Sequence, residues 1–317
     1  MSLLRRLFVK TKHAEPIDLA GNTSIVTGAS PGSLGFATAK TLASWGASVV
    51  ITTRSNADAL AEAIRAQLDD DAAERITAYP LELSNRGSVE RFAASFLDDH
   101  PRLDVLVNNA GVHLDLLSRW KTPHLVDGFE MHWRINYLGT AHLTHLLLPV
   151  LQKTGRETGD ARIVNVGSHL HARGSNDDLF RPTRPYSSWN AYGNSKLALM
   201  HMTSEIQRRY ASQANLQAYS LHPGSVFTKV ADKGLEGAKL IGSLRSMMSP
   251  VEAFFLKTPE EGAQTQIHCA TRPRLPGGLY YVECAPTEPS EDSKDARVAT
   301  RLWEETWAWI EGQSSRP

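Results

Sequence analysis

The sequence predicts an α/β protein, a single domain built on a doubly wound parallel sheet with helices on both faces, and three observations predict it. Short apolar, β-branched runs alternate with longer windows of helical period from Asn22 to about Leu221. The runs are apolar almost throughout instead of alternating, which suits strands buried on both sides. The windows between them are long enough for the helical crossovers that parallel strands require.

The elements follow in order. The strands are TSIVT (23–27), ASVVITT (47–53), ERITAYPL (74–81), LDVLVNN (103–109), ARIVNV (161–166) and LQAYSL (216–221). Between them, SVERFAASFLDDH (88–100) puts Val89, Phe92, Phe96 and Leu97 on one helical face. Two irregular stretches, 169–187 and 224–257, interrupt the alternation, and loops of that length are functional lids or disorder. TPEEGAQTQIHCAT (258–271) opens as a helix, with Thr258 as cap, Pro259 in the first turn and Glu261 three residues past the cap. GGLYYVE (277–283) reads as a last strand and ARVATRLWEETWAWI (296–310) as a closing amphipathic helix. The chain thus divides into an N-terminal extension (1–20), one α/β domain (21–311) with an irregular segment at about 224–257, and a tail (312–317).

Composition excludes several classes. The 317 residues carry 34 basic and 34 acidic side chains with no block of like charge, so no footprint for nucleic acid appears. Cys269 and Cys284 lie fifteen residues apart without metal-ligand spacing, which gives no support to a disulfide framework or a metal site and points to a reducing cytoplasm. The segment MSLLRRLFVKTKH is too short and too charged to span a bilayer. A tail that packs or frays and a weak peripheral membrane contact both remain open for it. No later run is long and apolar enough to cross a membrane.

The first strand runs into TGASPGSLGFATAKTLA (27–43), where Gly28, Gly32 and Gly35 fall at a strand-to-helix turn. A backbone without Cβ can bend there and let a pyrophosphate approach the helix N-terminus. A glycine trio is also compatible with an ordinary tight turn, but its place at the opening of a βαβ unit favours the dinucleotide. The second strand ends in ITTRS, with Thr53 and Arg54 where such domains choose between ribose groups. No acidic residue is there to accept from a 2′-hydroxyl, whereas Arg54 can pair with a 2′-phosphate. NADP is therefore the expected cofactor, with NAD left open, since an arginine at a strand end is also a common solvated charge.

NAYGNSKLAL (190–199) sets Tyr192 and Lys196 four positions apart, on one helical face and pointing into the same space. An ammonium near a phenol lowers its pKa and makes it a usable proton donor and acceptor. A surface helix pair gives the same spacing, so other residues must concur. Ser168 follows the strand ARIVNVG and should emerge at its C-terminal edge, where open α/β sheets bind ligands. Asn136, inside HWRINYLGTAHL, is unfavourable in a helix interior, which suggests a buried amide serving a water or a backbone carbonyl.

With these motifs in order (TGASPGSLG at 27–35, NNAG at 108–111, Asn136, Ser168, Tyr192 with Lys196, and HPGSVFT at 222–228), the sequence resembles the short-chain dehydrogenase/reductase family over about residues 20–310. Within it, VNVGSHLHARG, WNAYGNSKLALMH, LHPGSVFT, KTPEEGAQTQIHCAT and RLWEET are most similar to the retinol dehydrogenase and WW-domain oxidoreductase branch. The resemblance implies a Rossmann-type fold and these roles. Tyr192 would be the catalytic acid/base, Lys196 would hold the nicotinamide ribose and depress the tyrosine pKa, Ser168 would bond the reacting oxygen, and Asn136 would complete a relay through water. Cofactor contacts would come from Gly28, Ser30, Gly32, Leu34, Gly35, Arg54, Glu82, Leu83, Asn109, Ala110, Gly111, Tyr192, Lys196, Pro223, Gly224, Val226 and Thr228. In similar proteins, helices corresponding to 127–151 and 188–211 pair subunits, which implies a homodimer or homotetramer.

Two features depart from the family pattern. One extra residue, Ser33 or Leu34, precedes Gly35 in the glycine motif, and LELS puts Glu82 where relatives carry an aspartate for the adenine.

On the substrate side, 226–256 is rich in apolar residues, among them Val226, Phe227, Leu240, Met247, Phe254 and Phe255. It reads either as a lid over a lipophilic substrate or as a satellite core or dimer contact. His113, Leu114 and Leu116, with His169, His171, Trp189 and Phe227, are candidates for the pocket walls. The expected activity is hydride transfer between NAD(P) and a hydrophobic secondary alcohol, ketone or aldehyde of steroid or retinoid type. The alternatives are a reductase of acyl or polyketide β-ketones and a catalytically silent dinucleotide-binding sensor.

Overall fold

The computed structural model describes residues 12–117, 119–226 and 257–313. Thr23–Val26 (β1) leads to Leu34–Ser44 (α1), Ser48–Thr53 (β2), Ala57–Arg65 (α2), Asp70–Glu74 (α3), Ile76–Pro80 (β3), Arg86–Asp99 (α4) and Val105–Asn108 (β4). A hairpin of Leu125–Val126 (β5) and Phe129–Glu130 (β6) and a π-helical turn, Trp133–Leu138, precede Gly139–Thr158 (α5). Ala161–Val166 (β7), a 3₁₀ turn at His169–Arg173, Asn176–Phe180 (α6), Ser188–Ala214 (α7) and Leu216–His222 (β8) follow. Pro259–Thr271 (α8), Tyr280–Val282 (β9), Ala285–Pro286 (β10) and Ala296–Ile310 (α9) complete the described chain.

Among the described residues eight strands form one sheet in the order β3-β2-β1-β4-β7-β8-β9-β10, parallel throughout except at β10. Ile25 of β1 lies opposite Val50 of β2 on one side and Leu106 of β4 on the other. Every residue of β1, β4 and β7 is buried, as continuous apolar strands between two helical layers must be. One layer packs Phe92 of α4, Leu147 of α5, Leu199 of α7 and Trp303 of α9 against the sheet. The other packs Leu42 of α1, Ile64 of α2 and Cys269 of α8. Each such fully buried apolar side chain contributes roughly 1.5–3 kcal/mol.

The path of the chain reverses at β1. From there it proceeds to β2 and β3 on one side, then crosses to β4 on the other, which opens a crevice between the C-terminal ends of β1 and β4. Of the extension, residues 12–20 lie on the domain: Ala14 is buried and its N–H donates to Gln264 Oε1 at 2.9 Å.

Several sequence expectations are corrected. The stretch 127–151 is not one helix, because a hairpin occupies 125–130 and the π turn intervenes before α5. The stretch 169–187 contains a 3₁₀ turn and α6, short elements whose periodicity is too brief to read. Glu74 ends α3 and does not open β3, and β10 adds an antiparallel edge. The helix at 258–271 is capped as expected: Glu261 N–H donates to Thr258 Oγ1 at 3.2 Å, and Thr258 N–H to Glu261 Oε2 at 2.8 Å. Most of the lid segment, 227–256, lies outside the described residues, and with it Phe227 and Thr228.

Candidate active site

The crevice is assembled by Thr27, at the end of β1. Its hydroxyl accepts the N–H groups of Asn109 and Ala110, both at 3.0 Å, and so ties the end of β1 to the end of β4. Gly28, at φ +68°, lies so close to Ala110 that a Cβ would stand 2.9 Å from the Ala110 Cα. Gly35 is buried behind the turn, where a Cβ would meet Asn109 Nδ2 at 2.5 Å and the Gly28 carbonyl at 2.8 Å, so its absence of a side chain serves helix-to-strand packing. The extra residue of the glycine motif is accommodated at the helix start. Ser33 is the N-cap of α1, accepting from Phe36 N–H at 3.1 Å, and Leu34 is the first helical residue.

The crevice has a volume of about 210 Å³. Gly28, Ser30, Gly32, Leu34, Arg54, Leu83, Asn109, Ala110, Gly111 and His113 line it, together with Ser33, Thr52, Thr53, Ser84 and Ile135. No carboxylate is among these lining residues, the first turn of α1 carries no acidic residue, and Arg54 is exposed at the rim. Those are the charge conditions a pyrophosphate needs at a helix N-terminus, so the residues present fit a dinucleotide. Gly35 and Glu82 do not line the crevice. Glu82 is exposed, and its Oε1 accepts from Ser84 Oγ at 2.7 Å. Pro223, Gly224 and Val226 lie outside this lining: Val226 pairs with Lys257 in an isolated bridge, and Gly224 lies against the Lys257 side chain.

Helix α7 sets Tyr192 and Lys196 beside the crevice without lining it: Tyr192 stacks on His113 and Lys196 Nζ approaches Gly111, both of which line it. Tyr192 and Ser168 share a side-chain hydrogen bond. Lys196 Nζ donates to the Val166 carbonyl at 2.8 Å, and a Cβ on Gly111 would meet Nζ at 3.4 Å and Asn136 Oδ1 at 3.3 Å. Glycine leaves room there for the lysine and the asparagine to approach the end of β4. Asn136 is fully buried and its amide clamps one residue from both sides: Oδ1 accepts from Val112 N–H at 2.8 Å, and Nδ2 donates to the Val112 carbonyl at 2.9 Å and to Ser195 Oγ at 3.1 Å. The expectation of a backbone partner is met; the amide is engaged with protein on both sides.

The electrostatics correct one expectation. Burial pushes the Tyr192 phenol up, to about 12, against the opposing pull of the Ser168 hydrogen bond. Lys196 does not lower it. Burial brings the lysine itself down to about 8, and its ammonium is turned to the Val166 carbonyl.

Around Tyr192 stands an aromatic wall. His113 stacks on its ring, with centroids 4.0 Å apart and planes 15° apart, and Trp189 meets His113 edge-on at 4.7 Å. Burial, with His132 and Lys196 adding to it, pushes the His113 imidazole down to about 4. His169 is exposed and bonded to His222, Nδ1 to Nε2, at 3.2 Å. His171 is buried, its Nδ1 bonded to the Ser168 carbonyl at 2.7 Å. Sequence reasoning missed Glu130 and His132, whose ring faces Tyr192 edge-on at 6.0 Å. Nothing in EMHWRIN marks them.

Residues 22–238 match the family model described as short chain dehydrogenase. Retinol dehydrogenase 11 of Homo sapiens is 33% identical over 306 residues, covering 95% of this chain and 89% of that one. Retinol dehydrogenase 12 of Mus musculus is 34% identical over 306 residues, with 95% and 90% covered. Among solved structures, an uncharacterized protein from Mycobacterium paratuberculosis superposes with a TM-score of 0.70 at 30% identity, covering 97% of this chain and all of that one. A Pseudomonas aeruginosa RhlG/NADP active-site complex superposes with a TM-score of 0.64 at 26% identity, covering 84% and 96%.

Proposed function

Because this chain belongs to the short-chain dehydrogenase/reductase family, a family of NAD(P)-dependent oxidoreductases, we propose that it transfers a hydride between NADP and a lipophilic secondary alcohol, ketone or aldehyde, with Tyr192 as general acid and base. The observation that carries this reading is the meeting of Ser168, Tyr192 and Lys196 beside His113 and Gly111 of a crevice that no carboxylate lines among the described residues. When bound, the nicotinamide supplies or takes the hydride.

The chain's own groups handle the proton and the binding. In reduction, Tyr192 gives its hydroxyl proton to the carbonyl oxygen while Ser168 donates a hydrogen bond to that oxygen and holds it in place. A phenol held near 12 keeps its proton at neutral pH, which is the form reduction uses. Lys196 spends one of its three donors on Val166 and has two left for ribose hydroxyls. Gly28, Ser30, Gly32 and Leu34 cradle phosphate at the start of α1, and Asn109, Ala110 and Gly111 form the facing edge. Arg54 pairs with a 2′-phosphate, a reading supported by its place on the rim and by the neighbour solved with NADP.

Lipophilic substrates of retinoid or steroid type are supported by the names of the relatives, by the ring wall of His113 and Trp189, and by the apolar sequence of 227–256. Both cysteines are free, which agrees with a cytoplasmic setting. No helix among the described residues is long and apolar enough to cross a membrane. Subunit pairing through α7 would have to use its N-terminal half, because α9 covers the other: Thr300 donates to Glu205, and Trp303 packs on Tyr210 and Arg209.

Replacing Tyr192 by Phe tests the reading. Turnover of retinal, steroid ketones or β-ketoacyl thioesters with NADPH should fall by roughly 10²–10⁴-fold, the usual worth of a general acid. NADPH binding, followed by its fluorescence, should persist. Unchanged turnover would overturn the role assigned to the phenol.

A further inference from the structure

His113 is pinned on both sides. Its predecessor Val112 is held through both backbone groups by the buried amide of Asn136, at 2.8 and 2.9 Å. Its successor Leu114 donates its N–H to His132 Nε2 at 3.0 Å. That acceptance places the His132 proton on Nδ1, which faces Glu130 Oε1 at 2.8 Å. The Glu130 carboxylate is fixed in turn: Oε2 accepts from Trp133 N–H at 3.0 Å and Oε1 from the Tyr186 hydroxyl at 3.2 Å. His132 is wholly buried. The result is a carboxylate–imidazole pair that grips a backbone N–H and, through it, presents one ring flat against Tyr192 at 4.0 Å.

A phenol rotates about two side-chain torsions, and proton transfer tolerates little misplacement. Ser168 fixes only the hydroxyl end of Tyr192. The flat face of the ring is met by His113, and the low basicity that burial gives this imidazole keeps it uncharged at neutral pH, so the contact is a stack of two neutral rings. Trp189 backs His113 edge-on, and its own indole N–H is tied to the Leu116 carbonyl at 3.2 Å. Glu130 and His132 do not themselves line the crevice; His132 reaches it by gripping the N–H of the lining residue Leu114, and its ring also meets those of His113 and Tyr192 edge-on at 6.1 and 6.0 Å.

We propose that His113 is a positioning residue for the Tyr192 phenol, and that the Glu130–His132 pair sets it through the Leu114 N–H. The inference rests on Tyr192 being the acid/base of the proposed reaction, but its test begins with a measurement that needs no turnover. In the full chain with ring-¹³C-labelled tyrosine, the Tyr192 signal is the one lost in Tyr192→Phe. It should move downfield in His113→Leu as the ring current of the stack disappears, and it should stay near its original place in His113→Phe. A Tyr192 signal that does not move in His113→Leu overturns the proposal.

Kinetics then separate positioning from mere support. With all-trans-retinal and NADPH, His113→Leu should lower kcat by about tenfold, the upper worth of one aromatic stack, with KM changed less than about twofold. His113→Phe should restore most of kcat. Equal rates for the leucine and phenylalanine variants overturn the proposal, whereas full activity in Tyr192→Phe would instead overturn the reading of the reaction. His132→Leu should reproduce both the signal shift and the kcat loss of His113→Leu; a folded His132→Leu with an unshifted Tyr192 signal would remove the Glu130–His132 pair from the mechanism.

Discussion

At the scale of single residues, the site is a set of close approaches. At Gly111 a Cβ would stand close to both Asn136 Oδ1 and Lys196 Nζ, at 3.3 and 3.4 Å. Ser168, Tyr192 and Lys196 were legible as types at a spacing, and the strand before Ser168 located their edge of the sheet. What spacing did not convey was the sign of the tyrosine shift, because a pair four residues apart says nothing of how deeply it is buried. Arg54 belongs to this scale too. Being exposed and alone among the lining residues in carrying charge, it should set cofactor preference. Arg54→Asp should weaken NADPH relative to NADH by roughly 10–100-fold, the worth of hydrogen bonds to a charged phosphate. The ratio of the two kcat/KM values checks this, and an unchanged ratio would remove the 2′-phosphate contact.

At the scale of elements, the central strands β1, β4 and β7 were readable to within a residue or two because each is buried on both faces and needs no partner-specific pattern. The segment 125–138 was not. Its hairpin and π turn are held by contacts distant in sequence: Arg134 Nη1 donates to the Leu83 carbonyl at 2.8 Å, and the Tyr137 hydroxyl pairs with Thr306 Oγ1 at 2.8 Å. The wider turn carries Asn136 toward Val112, and immediately after it Gly139 lies so close that a Cβ would overlap the Leu83 carbonyl. Gly139→Ala should therefore destabilise the fold by about 1–3 kcal/mol through overpacking against backbone that cannot retreat. A lower urea midpoint at unchanged slope is the expected reading, and an unchanged midpoint would show that α5 shifts freely.

Across the whole molecule, burial of histidine couples stability to pH. His113, His142, His201 and His222 are all pushed from an ordinary 6.5 to about 4, first by loss of solvent. Below 6.5 the unfolded chain takes up protons that the folded chain refuses until about 4. Stability is therefore full above 6.5 and falls as pH drops through that window, as proton linkage requires. Urea midpoints taken across it should decline steadily, and a flat profile would contradict the burial of these rings. The sequence by itself determined the parallel sheet, the glycine turn at its first strand and the residues that meet at its edge, since these depend on local periodicity and on side-chain chemistry at fixed spacing. Only the tertiary structure decided that Asn136 grips Val112, that His113 lies flat on Tyr192 and that burial raises the phenol, because each depends on how tightly segments far apart in the chain exclude water from the same small volume.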